Sequence, residues 1–153
     1  MKGEKSIRDF NLSNSLIIRT SWLSSKSKNN FIQKIKTNNN KKIRVVDNEI
    51  GSPTNALDLA LAILKIIPKI KNDKTEIYNF SNKGSCSRYQ LAIYINKFLK
   101  KNSKIIPVNN YKSLAKRPKH AILNSDKFED NIKNKIKTWQ ESLDIFLNQI
   151  LKY

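Results

Sequence analysis

Arg44-Val45-Val46-Asp47-Asn48-Glu49-Ile50-Gly51-Ser52-Pro53-Thr54-Asn55-Ala56-Leu57-Asp58-Leu59-Ala60 runs from strand through turn into helix without interruption. Ile43 to Val46 is rich in β-branched residues, as strands are. Gly51-Ser52-Pro53-Thr54 is a turn that opens a helix. Thr54 or Asn55 can cap it, Asp58 sits in its first turn near the positive end of the dipole, and Pro68 stops it. Between these signals lie Leu57, Leu59, Leu61, Ile63, Leu64, Ile66 and Ile67. A helix apolar over so much of its surface is expected to be well buried.

The same alternation continues on both sides. Upstream, Ile7 and Phe10 look like the end of a helix. Leu16-Ile17-Ile18, followed by Arg19-Thr20, is a short apolar run of the buried-strand type. Residues 24–30 and Asn38-Asn39-Asn40 are polar loops around a short helical spacing of Phe31, Ile32 and Ile35. Downstream, Glu76 to Ser81 reads as a strand and Asn82-Lys83-Gly84 as a turn. Ser87 stands three residues before Gln90, the spacing of a capping box. The helix that follows, to about Lys100, presents Leu91, Ile95, Phe98 and Leu99 on one face. Ile105 to Val108 is a short strand. Residues 109–138 are irregular, with a small helix near Asp126–Asn131. A last helix from about Thr138 to Leu151 has Trp139, Leu143, Phe146, Leu147 and Ile150 as its buried stripe. Alternating strands and helices define an α/β fold.

Composition narrows the class. The 153 residues suit one ordinary domain. Lysine and arginine total 30 against 12 acidic residues, a net charge of +18, which raises the question of nucleic acid. The basic set is 25 Lys and 5 Arg, however, and Asn (20) and Ile (21) are inflated alongside it. All three abundant residues have A/T-rich codons, so codon drift competes with selection for a polyanionic partner. An apolar content of 39% argues against a disordered chain. Cys86 is the only cysteine, which excludes a disulfide scaffold, fits a reducing compartment, and reads as a small buried thiol. With His120 as the only histidine, a surface one by its neighbours, a structural zinc site is excluded. The longest apolar stretch, around Ala56 to Pro68, is broken by Asp58 and Lys65, so no membrane span is expected. The N-terminal MKGEKSIRDF lacks the apolar run of a signal peptide, and a soluble, cytoplasmic protein is expected. Gly3, Gly51 and Gly84 are the only glycines, too few for the usual phosphate-cradling turns.

Several segments carry a family resemblance. They are Gly3-Glu4; Leu16 to Leu23 (LIIRTSWL); Asn30-Phe31; Arg44 to Ala60; Ile77 to Ala92 (IYNFSNKGSCSRYQLA); Ala115 to Pro118 (AKRP) with Leu123 to Lys127; and Trp139 with its helix. In this order and spacing they resemble the C-terminal half of the dTDP-4-dehydrorhamnose reductase family, NADPH-dependent sugar-nucleotide reductases of the extended short-chain dehydrogenase class. The resemblance covers almost the whole chain. It implies the last strands of a Rossmann-type sheet plus a small mixed α/β substrate-binding lobe, with residues 1–153 forming one C-terminal part and the NADPH-binding domain absent. That family reduces dTDP-4-dehydro-L-rhamnose to dTDP-L-rhamnose, using a Tyr-xxx-Lys pair and a Gly-rich cofactor turn. Aligned on Gly3-Glu4, the Lys falls immediately before Met1. The expectation is therefore a truncated reductase with no catalytic residue of its own, no bound NADPH and no activity alone. A separate N-terminal piece would be its partner and a dTDP-sugar its ligand. The resemblance also allows magnesium and a homodimer.

Residue by residue, the resemblance assigns Trp22 to the sugar, against the alternative of a core tryptophan. Asn30 either bonds substrate or caps a helix. Asn48-Glu49 stands where the family has Asp-Gln, so Glu49 adds a charge and removes an amide donor at a substrate position. Arg117, in Ala-Lys-Arg-Pro, suits the diphosphate. Thr20 and Ser21 match the loop passing the nicotinamide. Two other readings stand beside this one. The charge of +18 fits a basic nucleic-acid-binding module. An unpaired sheet edge fits a nonfunctional remnant.

Overall fold

The computed structural model describes residues 2–26, 30–71, 73–109 and 118–151. In chain order the elements are α1 (Lys2–Asp9), β1 (Leu16–Arg19), β2 (Leu23–Ser24), α2 (Phe31–Thr37), β3 (Lys42–Val46), β4 (Ile50–Gly51), β5 (Thr54–Asn55) and α3 (Ala56–Ile66). A 3-10 turn at Ile67–Lys69, containing Pro68, follows α3 directly. There follow β6 (Glu76–Asn79), β7 (Cys86–Ser87), α4 (Arg88–Phe98), β8 (Lys104–Val108), β9 (His120–Ala121), α5 (Asp126–Ile132) and α6 (Trp139–Leu151).

Two parallel pairs form the frame. β1 runs beside β6, with Ile17 opposite Ile77, and β3 beside β8, with Ile43 opposite Ile105. Parallel pairing needs crossover connections, and helices supply them. Shorter pairings lock the loops between. β2 pairs with β5, and β4 is flanked by β7 and β9. The helix caps follow the local chemistry. Asn55 accepts from the Leu57 amide at 3.0 Å, settling the choice between Thr54 and Asn55. Ser87 and Gln90 form a full capping box. Lys101 Nζ donates to the carbonyls of Ile35, Lys36 and Asn38, neutralising the open C-terminal end of α2.

Apolar side chains gather in two cores. The larger joins α2, β3, α4 and α6 through Ile32, Ile35, Val45, Leu91, Ile95, Phe146 and Leu147. The stripe expected on the last helix is buried as read. The smaller core joins α3, β6 and α5 through Ala62, Ile66, Tyr78, Phe80 and Phe128. Asp58 ties the two together. Its carboxylate accepts from Ser142 Oγ on α6, from Asn82 Nδ2 at 2.8 Å and from Lys137 Nζ at 3.2 Å. Burial pushes the Asp58 carboxyl up, but the Ser142, Asn82 and Lys137 donors outweigh it and hold it below its ordinary value.

Two sequence expectations need correction. α3 is not well buried: only Ala62 and Ile66 are, while Leu57, Leu61 and Leu64 stand exposed. Apolarity alone does not say what lies opposite a helix. β1 also departs from the buried-strand reading. Leu16, Ile17 and Ile18 are only half-buried, because among the described residues β1 has one strand neighbour, β6. α1 buries none of its residues and is fixed to β1 through a two-point contact of Arg19 with Glu4, at 2.9 and 2.7 Å. Among the described residues no helix is long and apolar enough to cross a membrane.

Candidate functional site

Four chain segments meet in one open cleft. Trp22 precedes β2 and Leu23 and Ser24 form it; Asn30, Phe31 and Lys34 come from the start of α2. Val46 and Glu49 come from the end of β3 and the turn after it, and Arg88 from the first position of α4. The cleft measures about 360 Å³, inside the ~300–1,000 Å³ range of small-molecule sites. It lies beyond the carboxyl ends of β1 and β3, where open α/β sheets bind ligands.

Trp22 is the centre of this cleft and is conformationally unusual. Its φ is +43°, a region that costs a bulky residue energy and is retained at sites the surrounding structure over-determines. The Trp22 carbonyl is held by the Thr54 amide at 3.3 Å, and β2 pairs with β5 immediately after it. Gly51 approaches the indole so closely that a Cβ there would lie 2.5 Å from Cε2 and 2.8 Å from Nε1. The guanidinium carbon of Arg88 stands 3.7 Å from the ring centroid. Two groups this close to the same ring atoms cannot share a face, so the indole is sandwiched between the Gly51 backbone and Arg88.

The remaining members are fixed by ordinary local chemistry. Asn30 caps α2, its Oδ1 accepting from the Gln33 amide at 3.0 Å and its Nδ2 donating to the Ser25 carbonyl. The cap is therefore in place, while the residue also lines the cleft. Glu49 lies 3.9 Å from Arg88 Nε, and its backbone carbonyl accepts from the Arg88 amide at 3.2 Å. Its turn is held at Asp47, which accepts from Ser87 Oγ, and at Asn48, whose Nδ2 donates to the Asn109 carbonyl.

Trp22, Asn30 and Glu49, drawn from separate parts of the sequence, thus share one cleft. Thr20 and Ser21 lie next to it but outside it. Thr20 is exposed at the end of β1; Ser21 is buried and donates to the Ala121 carbonyl at 2.7 Å. Arg117 lies outside the described residues. Phe31, Lys34 and Arg88 were not singled out from sequence. Arg88 stands inside the quoted Ser-Cys-Ser-Arg segment, and its being one of five arginines against 25 lysines was the available signal.

Other chemistry is limited. Cys86 is buried, and burial pushes its thiol up to about 12, so it stays protonated at neutral pH and is a poor nucleophile. His120 is exposed. Among the described residues no group of three or more His, Cys, Asp or Glu could hold a metal ion, so magnesium has no cluster there. With three glycines in the sequence, one of them, Gly51, in strand β4, the residues present do not form a dinucleotide cradle. A second cleft lies beside Asp58 and Lys137, but that carboxylate is already committed to its three donors.

Parallel strand pairs joined through helices, with loops gathered beyond their carboxyl ends, define an α/β fold of Rossmann type. A solved structure of the dTDP-4-dehydrorhamnose reductase of Bacillus anthracis str. Ames, in complex with NADP, superposes with a TM-score of 0.85 at 31% identity, covering 96% of this chain and 52% of that one. The chain belongs to the RmlD substrate binding domain family, whose model matches residues 1–152. It is 31% identical over 151 residues to the spore coat polysaccharide biosynthesis protein SpsK of Bacillus subtilis (strain 168), covering 96% of this chain and 51% of that protein. It is 28% identical over 155 residues to a dTDP-4-dehydrorhamnose reductase of Sinorhizobium fredii, covering 93% of this chain and 52% of that enzyme. The chain spans about half the length of the curated relatives it matches.

Proposed function

We propose that this chain is the sugar-nucleotide-binding half of a reductase of rhamnose-nucleotide biosynthesis. It holds a dTDP-4-dehydro sugar in the cleft of Trp22, Asn30 and Glu49. The observation that carries this reading is their convergence: three residues picked from distant segments line one cleft, beyond the strand ends where α/β ligands bind. Arg117 would take the diphosphate. Thr20 and Ser21 would face the nicotinamide side.

Reducing a 4-keto sugar adds a hydride to the carbonyl carbon and a proton to its oxygen. Residues of this chain supply neither. Their part is to bind and orient, which by itself removes much of the entropic barrier to the step. NADPH and the Tyr-xxx-Lys pair belong to a Rossmann half, on the same polypeptide or a separate one. Support for such a neighbour comes from β1, which is half-buried and has one strand partner among the described residues, and from α1, whose Ile7 is exposed together with Phe10 and Leu12 beyond it. Parallel sheets are normally covered on both faces.

The direct test is calorimetric titration of the purified chain with dTDP-L-rhamnose and, separately, with a short DNA duplex at 0.15 M salt. Saturable 1:1 binding of the nucleotide sugar, weakened at least about tenfold by Trp22→Ala, is expected; an aromatic contact in a binding centre typically contributes this much. Tight, salt-sensitive DNA binding without any response to dTDP-L-rhamnose would overturn the reading in favour of a basic nucleic-acid module.

A further inference from the structure

Trp22 lines the cleft with an indole flanked on both sides. The Gly51 backbone covers one side and the Arg88 guanidinium the other. A sugar nucleotide entering between Asn30 and Glu49 therefore meets an arginine whose guanidinium carbon stands over the indole. Phe31 stands on the same side, with its ring centroid 5.2 Å from the guanidinium carbon. Contact with two aromatic rings restricts the guanidinium, and a restricted fork is preorganised for two-point contact with a phosphate. The carboxylate of Glu49 approaches Arg88 Nε at 3.9 Å. That is an ion pair, and it steers the side chain toward the cleft that Glu49 also lines. Lys34 lines the same cleft and leaves it net positive with Glu49 and Arg88 both charged.

We infer that Arg88 is the specificity-determining residue of this cleft: its stacked guanidinium receives a phosphate of the ligand and selects phosphorylated nucleotides over free nucleosides. The inference rests on the sugar-nucleotide reading above and goes beyond it. It assigns phosphate recognition to a residue stacked on Trp22, independently of Arg117. A lysine would not reproduce it: its ammonium is attracted to the indole but presents no planar fork for two-point contact with a phosphate.

The experiment compares thymidine, dTMP and dTDP on the full chain by titration calorimetry, in the wild type and in Arg88→Gln, Arg88→Lys and Lys97→Gln. Lys97 is exposed at the far end of the same helix, so its loss removes one charge without touching the cleft. Wild type is expected to bind dTDP more tightly than thymidine, and inorganic pyrophosphate should compete with dTDP. Both Arg88 variants should lose about tenfold or more in dTDP affinity, the scale of a charge-assisted contact. Their thymidine affinity should stay within about twofold, and Lys97→Gln should hold dTDP within about twofold, as remote surface charges do. The inference is overturned if Arg88→Gln keeps wild-type dTDP affinity, if Lys97→Gln loses as much, or if pyrophosphate fails to compete. Wild-type dTDP binding that survives Arg88→Gln sinks Arg88 alone. A wild type that binds none of the three compounds sinks the sugar-nucleotide reading and this inference with it.

Discussion

Asp58→Ala is expected to destabilise the chain by about 3 kcal/mol, because it removes the acceptor shared by two buried donors and a lysine. Ser142 and Asn82 are 2% and 1% exposed, so neither can turn to water when the carboxylate goes. Against a total of ~5–15 kcal/mol for a domain, such a loss is severe. Location adds to it: Asp58 joins α3 of the smaller core to α6 of the larger one. Asp58→Asn should cost less, since an amide oxygen still accepts, but Lys137 loses its counter-charge. The pH dependence has a definite sign. The folded-state carboxyl titrates below its ordinary value of 3.8, so its contribution is fully present above that value and is lost as pH falls through the folded value. Urea titrations should therefore show the gap between wild type and Asp58→Asn closing as pH drops below 3.8. A gap that stays constant from neutral to acid pH would show that the charge contributes nothing.

Gly51→Ala is the second large effect, and it acts on the cleft. The added Cβ would meet the indole at 2.5 Å, well inside contact distance. The ring cannot slide away freely, because Arg88 stacks on its opposite face and Trp22 is already at φ +43°. Overpacking of this kind costs about 1–3 kcal/mol. Displacement of Trp22 should also weaken dTDP-L-rhamnose by at least about tenfold, as misplacing a central aromatic does. Thermal unfolding and calorimetric titration of one protein preparation read both. Wild-type stability together with wild-type affinity would mean that the Gly51–Trp22 approach is not a constraint.

Much of this structure was legible in the sequence, for identifiable reasons. The helices and longer strands announce themselves by periodicity, and Asn55 and Ser87 by capping chemistry. The two-residue pairings β2, β4, β5, β7 and β9 did not, because two residues carry no period. Leu57, Leu61 and Leu64 were read as buried and are exposed; a hydrophobic stripe records a preference for burial, not the presence of a neighbour. In the cleft, Trp22, Asn30 and Glu49 were reached only through the family resemblance. Arg88 was missed because its significance lies in a contact with a ring far away in the chain, which no local pattern encodes. The helix-capping role of Asn30, by contrast, follows from the polar residue standing just before Phe31.

The two tryptophans provide the most direct test of the central claim, that the cleft around Trp22 holds the sugar nucleotide. Trp22 lines the cleft, whereas Trp139 is buried in the larger core against Tyr94 at 5.1 Å between ring centroids. Their two indole N–H signals in a nitrogen-15 correlation spectrum therefore report on site and core in one sample. Titration with dTDP-L-rhamnose is predicted to shift the Trp22 indole signal saturably and leave that of Trp139 in place. A saturable shift confined to Trp139, or none at either ring, would contradict the account.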